Sequence, residues 1–87
     1  MSRASLSELY ERLCVARNTF PEGCIIRHTK SGDLYVVTDH TIREFDGVAS
    51  VTYEKGPIKF TRPVYEMVEL IDHDGCIMPR FEVMNDD

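Results

Sequence analysis

Val48-Ala49-Ser50-Val51-Thr52-Tyr53-Glu54 alternates as a strand does, with Val48, Ser50, Thr52 and Glu54 on one side and Ala49, Val51 and Tyr53 on the other. Asp46-Gly47 before it and Gly56-Pro57 after it are turn dipeptides, and residues 58–61 follow as a short strand, so the middle of the chain predicts a meander. Upstream, residues 24–27 and 34–38 are β-prone and flank Lys30-Ser31-Gly32-Asp33, the composition of a hairpin turn. Residues 42–45 read as a weak further strand. Downstream, Arg62-Pro63 opens Val64-Tyr65-Glu66-Met67, where the proline suits the start of a short helical turn. Residues 68–71 and 76–81 bracket His73-Asp74-Gly75, whose Asp-Gly supplies the positive φ of a tight hairpin. Pro79 marks the last strand as an edge or a bulge.

Before the β region, residues 5–18 carry the period of an amphipathic helix. Leu6, Leu9, Tyr10, Leu13, Cys14 and Ala16 recur at spacings that put them on one side. Ser5 and Glu8 have the spacing of a capping box, and Pro21 stops the helix. The stripe is expected to pack on the sheet, with a partner protein as the alternative occupant. The chain thus divides into a helix and connector (1–22), one β domain (23–84) and a polar tail (85–87). Five or six short strands predict a mainly β, α+β fold: a small SH3-like β-barrel or a strongly bent antiparallel sheet with an N-terminal α-helix.

Eighty-seven residues, 43% hydrophobic and 29% charged, suffice for a single core. The formal net charge of -5 argues against non-specific nucleic-acid binding, which needs clustered Lys and Arg on the phosphates. Acid gathers in Asp72, Asp74, Glu82, Asp86 and Asp87, while basic residues are spread through the predicted sheet, leaving room for a local basic face. The three cysteines, Cys14, Cys24 and Cys76, include no C-x-x-C pair, so reduced, mostly buried thiols are expected. With no apolar run long enough for a signal peptide or a membrane span, the expected location is cytoplasmic, with no membrane partner.

A string of short motifs in order carries a resemblance. Arg27-His28 followed by Lys30 and Gly32, Tyr35-Val36-Val37, His40-Thr41, Val51-Thr52-Tyr53, Arg62-Pro63 with Glu66-Met67, and Pro79-Arg80-Phe81 together resemble the anchors of the 1653 family of domains of unknown function, small proteins of bacteria and their phages. The likeness runs from Gly23 to Phe81 and leaves out the helix. Phe60 stands where that family carries Trp, and Ile26 where it carries Tyr. The resemblance therefore implies a fold and a set of residues, a reduced aromatic platform, and no activity.

Candidate chemistry is sparse. Cys24 and His28 share a strand face by parity, yet such spacing is common by chance, and a core thiol with a surface imidazole is the expected reading. Asp72-His73-Asp74 has ligand-type residues, but on a tight turn, where polar side chains are expected for conformation alone. No catalytic residue, metal or cofactor is assigned. The set that asks for a function is Arg27, His28, His40, Thr41, Arg62 and Arg80, with Tyr53 or Phe60 as stacking surfaces, because polar groups in strands are harder to explain than polar groups in loops. Guanidinium forks suit carboxylate or phosphate. Against that, Arg62 is spaced to pair with Glu66, and Arg80 with Glu69 or Glu82. The expected function is non-enzymatic binding, foremost as a protein-interaction module. Capture of an anionic small molecule such as a nucleotide is the alternative, RNA or single-stranded DNA binding the third reading, and self-association through edge strands stays open.

Overall fold

A computed structural model describes residues 4–84; the polar tail at 85–87 lies outside them. The first element is the expected helix, α1 (Leu6–Thr19), opened by a complete capping box in which Ser5 Oγ accepts from Glu8 N–H and the Glu8 carboxylate accepts from Ser5 N–H. Its buried side differs from the predicted stripe. Leu6 is 85% and Tyr10 62% exposed, whereas Ala16 is buried, Leu9, Arg12 and Leu13 are half-covered, and Phe20 just beyond the helix enters the core. Arg12 joins the inward side because its guanidinium donates to the Gly47 carbonyl at 2.9 Å, a contact that apolar periodicity does not reveal.

Seven strands follow: β1 (Ile25–His28), β2 (Leu34–Arg43), β3 (Val48–Lys55), β4 (Ile58–Pro63), then the short helix α2 (Val64–Met67), β5 (Leu70–His73), β6 (Cys76–Pro79) and β7 (Phe81–Met84). Two differences from expectation have local causes. Residues 42–45 are not a separate strand. β2 runs through to Arg43, absorbing one extra residue in a bulge between Val37 and Asp39, so His40 again faces the same side as Val37. The last predicted strand splits at Pro79, and β6 pairs with β5 across Asp74-Gly75, both at positive φ, while β7 leaves to pair with β1.

The sheet is antiparallel, in the order β4-β3-β2-β1-β7, and β5-β6 forms a second, two-stranded sheet. No strand pairing joins β4 to β7 among the described residues, so the sheet is open and a closed barrel is not reached. Its inner face carries Phe81 and Val83, Ile26 and His28, Tyr35 and Val37, Val51 and Tyr53, and Phe60 and Arg62 on successive strands. Ile26, Val37, Val51, Tyr53 and Phe81 pack with Phe20 and with Met67 of α2 into one core, each fully buried aliphatic contributing about 1.5–3 kcal/mol. No described helix is long and apolar enough to cross a membrane.

The break between β6 and β7 is held by the residue that follows β1. Buried Thr29 donates its hydroxyl to the Pro79 carbonyl at 2.5 Å and its N–H to the Arg80 carbonyl at 2.9 Å, while Arg80 N–H donates to the Glu69 carbonyl. Thr29→Val keeps the shape and strands the Pro79 acceptor, which should lower stability by about 1–3 kcal/mol in chemical denaturation. Gly47, at φ +70° with Arg12 Nη1 and Leu9 Cδ2 only 2.7 and 3.1 Å from where a Cβ would stand, makes a second test. Gly47→Ala should cost at least about 1–2 kcal/mol from the backbone conformation alone.

Candidate functional site

The sequence-derived set separates in space. His40 is 6% exposed, and its Nε2 lies 2.5 Å from the Phe20 carbonyl, tying the end of α1 to β2. Thr41 is exposed on the opposite parity of β2 from His40. Arg27 also faces outward, paired with Glu82 across β1 and β7. Arg80 is bound to Glu69 at 2.6 Å, one of the two structural pairings foreseen for it. These four are scaffold or surface and do not converge. Asp72 likewise serves its turn, accepting from Gly75 N–H at 3.0 Å. The thiols are less buried than expected, with Cys14 and Cys24 half-covered and Cys76 exposed. Burial pushes the Cys24 thiol up, the reverse of what an attacking thiolate needs.

The remaining four do converge. His28, Tyr53, Phe60 and Arg62 border one depression of about 330 Å³ at the open end of the inner face, together with Ser31, Asp33, Tyr35 and Phe81. Register puts them there: His28 pairs with Phe81, Tyr53 with Phe60, and Arg62 stands two residues beyond Phe60 on the same side. Tyr53 and Phe60 stack with centroids 5.6 Å apart and planes at 23°, and Tyr35 meets both nearly edge-on, at 74° and 83°. The rings thus form a corner with two perpendicular walls, in the offset and edge-to-face arrangements that aromatic quadrupoles favour. Tyr53 and Phe81 are buried backing, and Phe60, on edge strand β4, is 41% exposed.

Charge in this corner is uneven. The Asp33 carboxylate receives Lys55 Nζ at 2.9 Å, and hydrogen bonds from Lys55 and Ser31 hold its pKa below the usual range. Arg62 lies with its guanidinium carbon 5.6 Å from the Phe81 ring centre, and its salt-bridge partner Glu66 is 4.0 Å away. The Tyr53 phenol is pushed up chiefly by burial and stays protonated. His28 is pushed down by burial, and further by the charges of Arg62, Arg80 and Lys30 against the opposing Asp33. Its Nδ1 lies 2.9 Å from Ser31 Oγ and 3.3 Å from Ser31 N.

A groove of about 300 Å³ between α1, the start of β3 and α2 is lined by Val15, Val48, Ala49, Val64 and Tyr65, with Arg12 and Gly47. Arg12 is its sole ionisable group apart from the Tyr65 phenol and is already tied to Gly47, so the groove has little to fix a polar ligand. Tyr35, Phe81, Ser31 and Asp33 were absent from the sequence-derived set. Tyr35 was within reach, since it shares the parity of Val37. Phe81 was not, because it belongs to a strand whose partner is distant in sequence.

Comparison of the chain with family models, with curated proteins and with solved structures yields no match.

The depressed His28 has a measurable consequence. Below its unfolded value near 6.5 the unfolded chain takes up a proton that the folded chain resists, so stability present above that pH is lost as pH falls toward the lower folded value. The His28 ring should titrate below 6.5 by NMR, and His28→Gln should flatten the decline of melting temperature between pH 7 and pH 5. A midpoint at or above 6.5 contradicts this environment.

Proposed function

We propose that this chain is a small non-enzymatic binding domain, acting as a protein-interaction module, and that it receives its partner at the open end of the inner face bordered by His28, Tyr35, Tyr53, Phe60 and Arg62. One observation carries the reading. Of the three arginines on or beside β1, β4 and β7, Arg27 and Arg80 are in close contact with carboxylates, whereas Arg62 has Glu66 only at 4.0 Å and stands over an aromatic corner. An aromatic anchor beside an Arg is the composition of interface hot spots. Edge strand β4 adds the half-exposed Phe60 and exposed Ile58 to the same rim, a surface on which an extended segment can lie.

The ordered motifs from Arg27-His28 to Pro79-Arg80-Phe81 support kinship with the 1653 family of domains of unknown function and hence a bacterial or phage origin. The β1–β4 meander, the short α2 and the return of β7 beside β1 support an SH3-like ancestry for the bent sheet. Free thiols at Cys14, Cys24 and Cys76 suit a reducing, cytoplasmic setting. A second reading, capture of an anionic small molecule, is favoured by the volume of about 330 Å³, at the lower end of ligand pockets. Binding of a nucleic-acid polymer draws less support, since one loosely paired guanidinium answers a single phosphate and the chain as a whole is acidic.

Affinity capture from bacterial lysate tests the principal reading when four proteins are compared. A stoichiometric partner should be held by the unaltered chain and by the outer-face control Thr41→Glu, and lost by Phe60→Ser and Arg62→Gln. Retention by all four, or loss by the control alone, moves the interface elsewhere.

A further inference from the structure

An aromatic corner can serve two opposite ligands, a cation held against ring faces or a flat ring that stacks on them, and the local charge decides between them. Three kinds of side chain bordering the depression could set that charge: Asp33, His28 and Arg62. Asp33 is offset by Lys55 Nζ at 2.9 Å, and hydrogen bonds from Lys55 and Ser31 stabilise its carboxylate. His28 is pushed toward its neutral form by burial and by the neighbouring cations, and its Nδ1 is engaged by Ser31. Arg62 remains, with Glu66 no closer than 4.0 Å. Arg62 is therefore the most loosely paired charge in the lining, a positive edge on a chain that carries -5. Burial first, and then the charges of Arg62, Arg80 and Lys30 against Asp33, push the His28 pKa down, in keeping with that sign.

A positive field repels a quaternary or primary ammonium and thereby removes the cation-cage use of these rings. It leaves the second use. Phe60 is 41% exposed, and Tyr35 stands at 83° to it, so an entering ring can stack on one wall and meet the other by its edge. Arg62 is two residues from Phe60 on the same strand and face, roughly 7 Å along β4, which is the reach between a flat ring and an anionic group a few bonds away.

We propose that the depression recognises a planar ring carrying a carboxylate or phosphate, with the ring against Phe60 and Tyr35 and the anion on the Arg62 fork. His28 is a further polar ring at the rim of the depression. A single residue-sized ligand of this kind is either an aromatic residue at a peptide's C-terminus or a mononucleotide, and the volume of about 330 Å³ admits only one such group at a time. The assignment rests on the reading above that this end of the sheet is the binding site.

Four probes titrated into isotope-labelled protein at low salt, followed by amide chemical shifts, separate the outcomes. N-acetylphenylalanine supplies ring and carboxylate, adenosine monophosphate supplies ring and phosphate, N-acetylphenylalaninamide lacks the charge, and phenethyltrimethylammonium reverses it. At least one anionic probe should shift Ser31, Tyr53, Phe60 and Arg62, and should bind about tenfold or more tightly than the amide and the cation. Binding by the carboxylate alone points to a peptide terminus, and binding by the phosphate alone to a nucleotide. Arg62→Gln should remove the preference for the anion, and Phe60→Ser, on an exposed edge, should weaken every ring probe even if the arginine variant proves too unstable to use. Equal or stronger binding of the amide or the cation at the same residues overturns the proposal while leaving the site intact. Failure of all four probes to move those residues overturns the site as well.

Discussion

The arrangement depends on β1, four residues that are hydrogen-bonded on both sides. Ile26 pairs with Tyr35 on one flank and Val83 on the other, and is fully buried at the centre of the core. This strand joins the meander that precedes α2 to the segment that follows the β5-β6 hairpin. Without it, β7 has no partner, and Phe81 has no reason to reach Tyr53. Thr29 extends the control by one residue, since its two bonds to the Pro79 and Arg80 carbonyls fix where the chain leaves one sheet and enters the other. A buried backbone turn with carbonyls pointing inward needs such donors, because each one left unsatisfied costs more than an ordinary hydrogen bond returns.

The same strand decides what kind of surface the inner face presents. Over its covered part, Ile26, Val37 and Val51 meet Phe20 and Met67, and the face is closed. Toward His28 the cover ends. Aromatic residues take over from aliphatic ones there, with Tyr35, Tyr53, Phe60 and Phe81 in mutual contact. Rings suit that boundary: they can back onto the core with one edge and face solvent with another. The transition from dry core to aromatic corner lies within one sheet face, so the candidate site is a continuation of the hydrophobic core and inherits its rigidity.

Much of this was legible in the chain and some was not, for reasons that can be named. Ser5 with Glu8, the Asp74-Gly75 turn and the alternation across residues 48–54 are local signals, and each produced its element. The bulge at residue 38 was hidden because Asp39-His40 reads as a polar interruption, whereas an extra residue in β2 simply returns His40 to the inner side. β7 was merged with β6 because its partner, β1, lies more than fifty residues away, and no local pattern reports so distant a pairing. Of the site, the residue types were legible and their directions were not. Arg27 and His28 are adjacent, so strand parity alone sends them to opposite faces, and a list of polar residues in strands mixes the two faces.

That parity argument also explains how an acidic protein can hold a positive corner. On the outer face, charge is arranged in matched pairs, Arg27 with Glu82 across β1 and β7 and Arg43 with Asp46 at the end of β2, so cations there are locally cancelled. The inner face is built for burial and admits few carboxylates, because an acid placed among Tyr53, Phe60 and Phe81 would lose hydration without a donor to replace it. The one acid lining the depression, Asp33, is supplied with Lys55 and Ser31. Arg62 can persist in such a place because a guanidinium tolerates an aromatic neighbour better than a carboxylate does, lying over Phe81 while keeping its donors outward. The positive edge of the corner therefore follows from the exclusion of carboxylates from an aromatic face to which a delocalised cation is better suited, whatever the net charge of the chain.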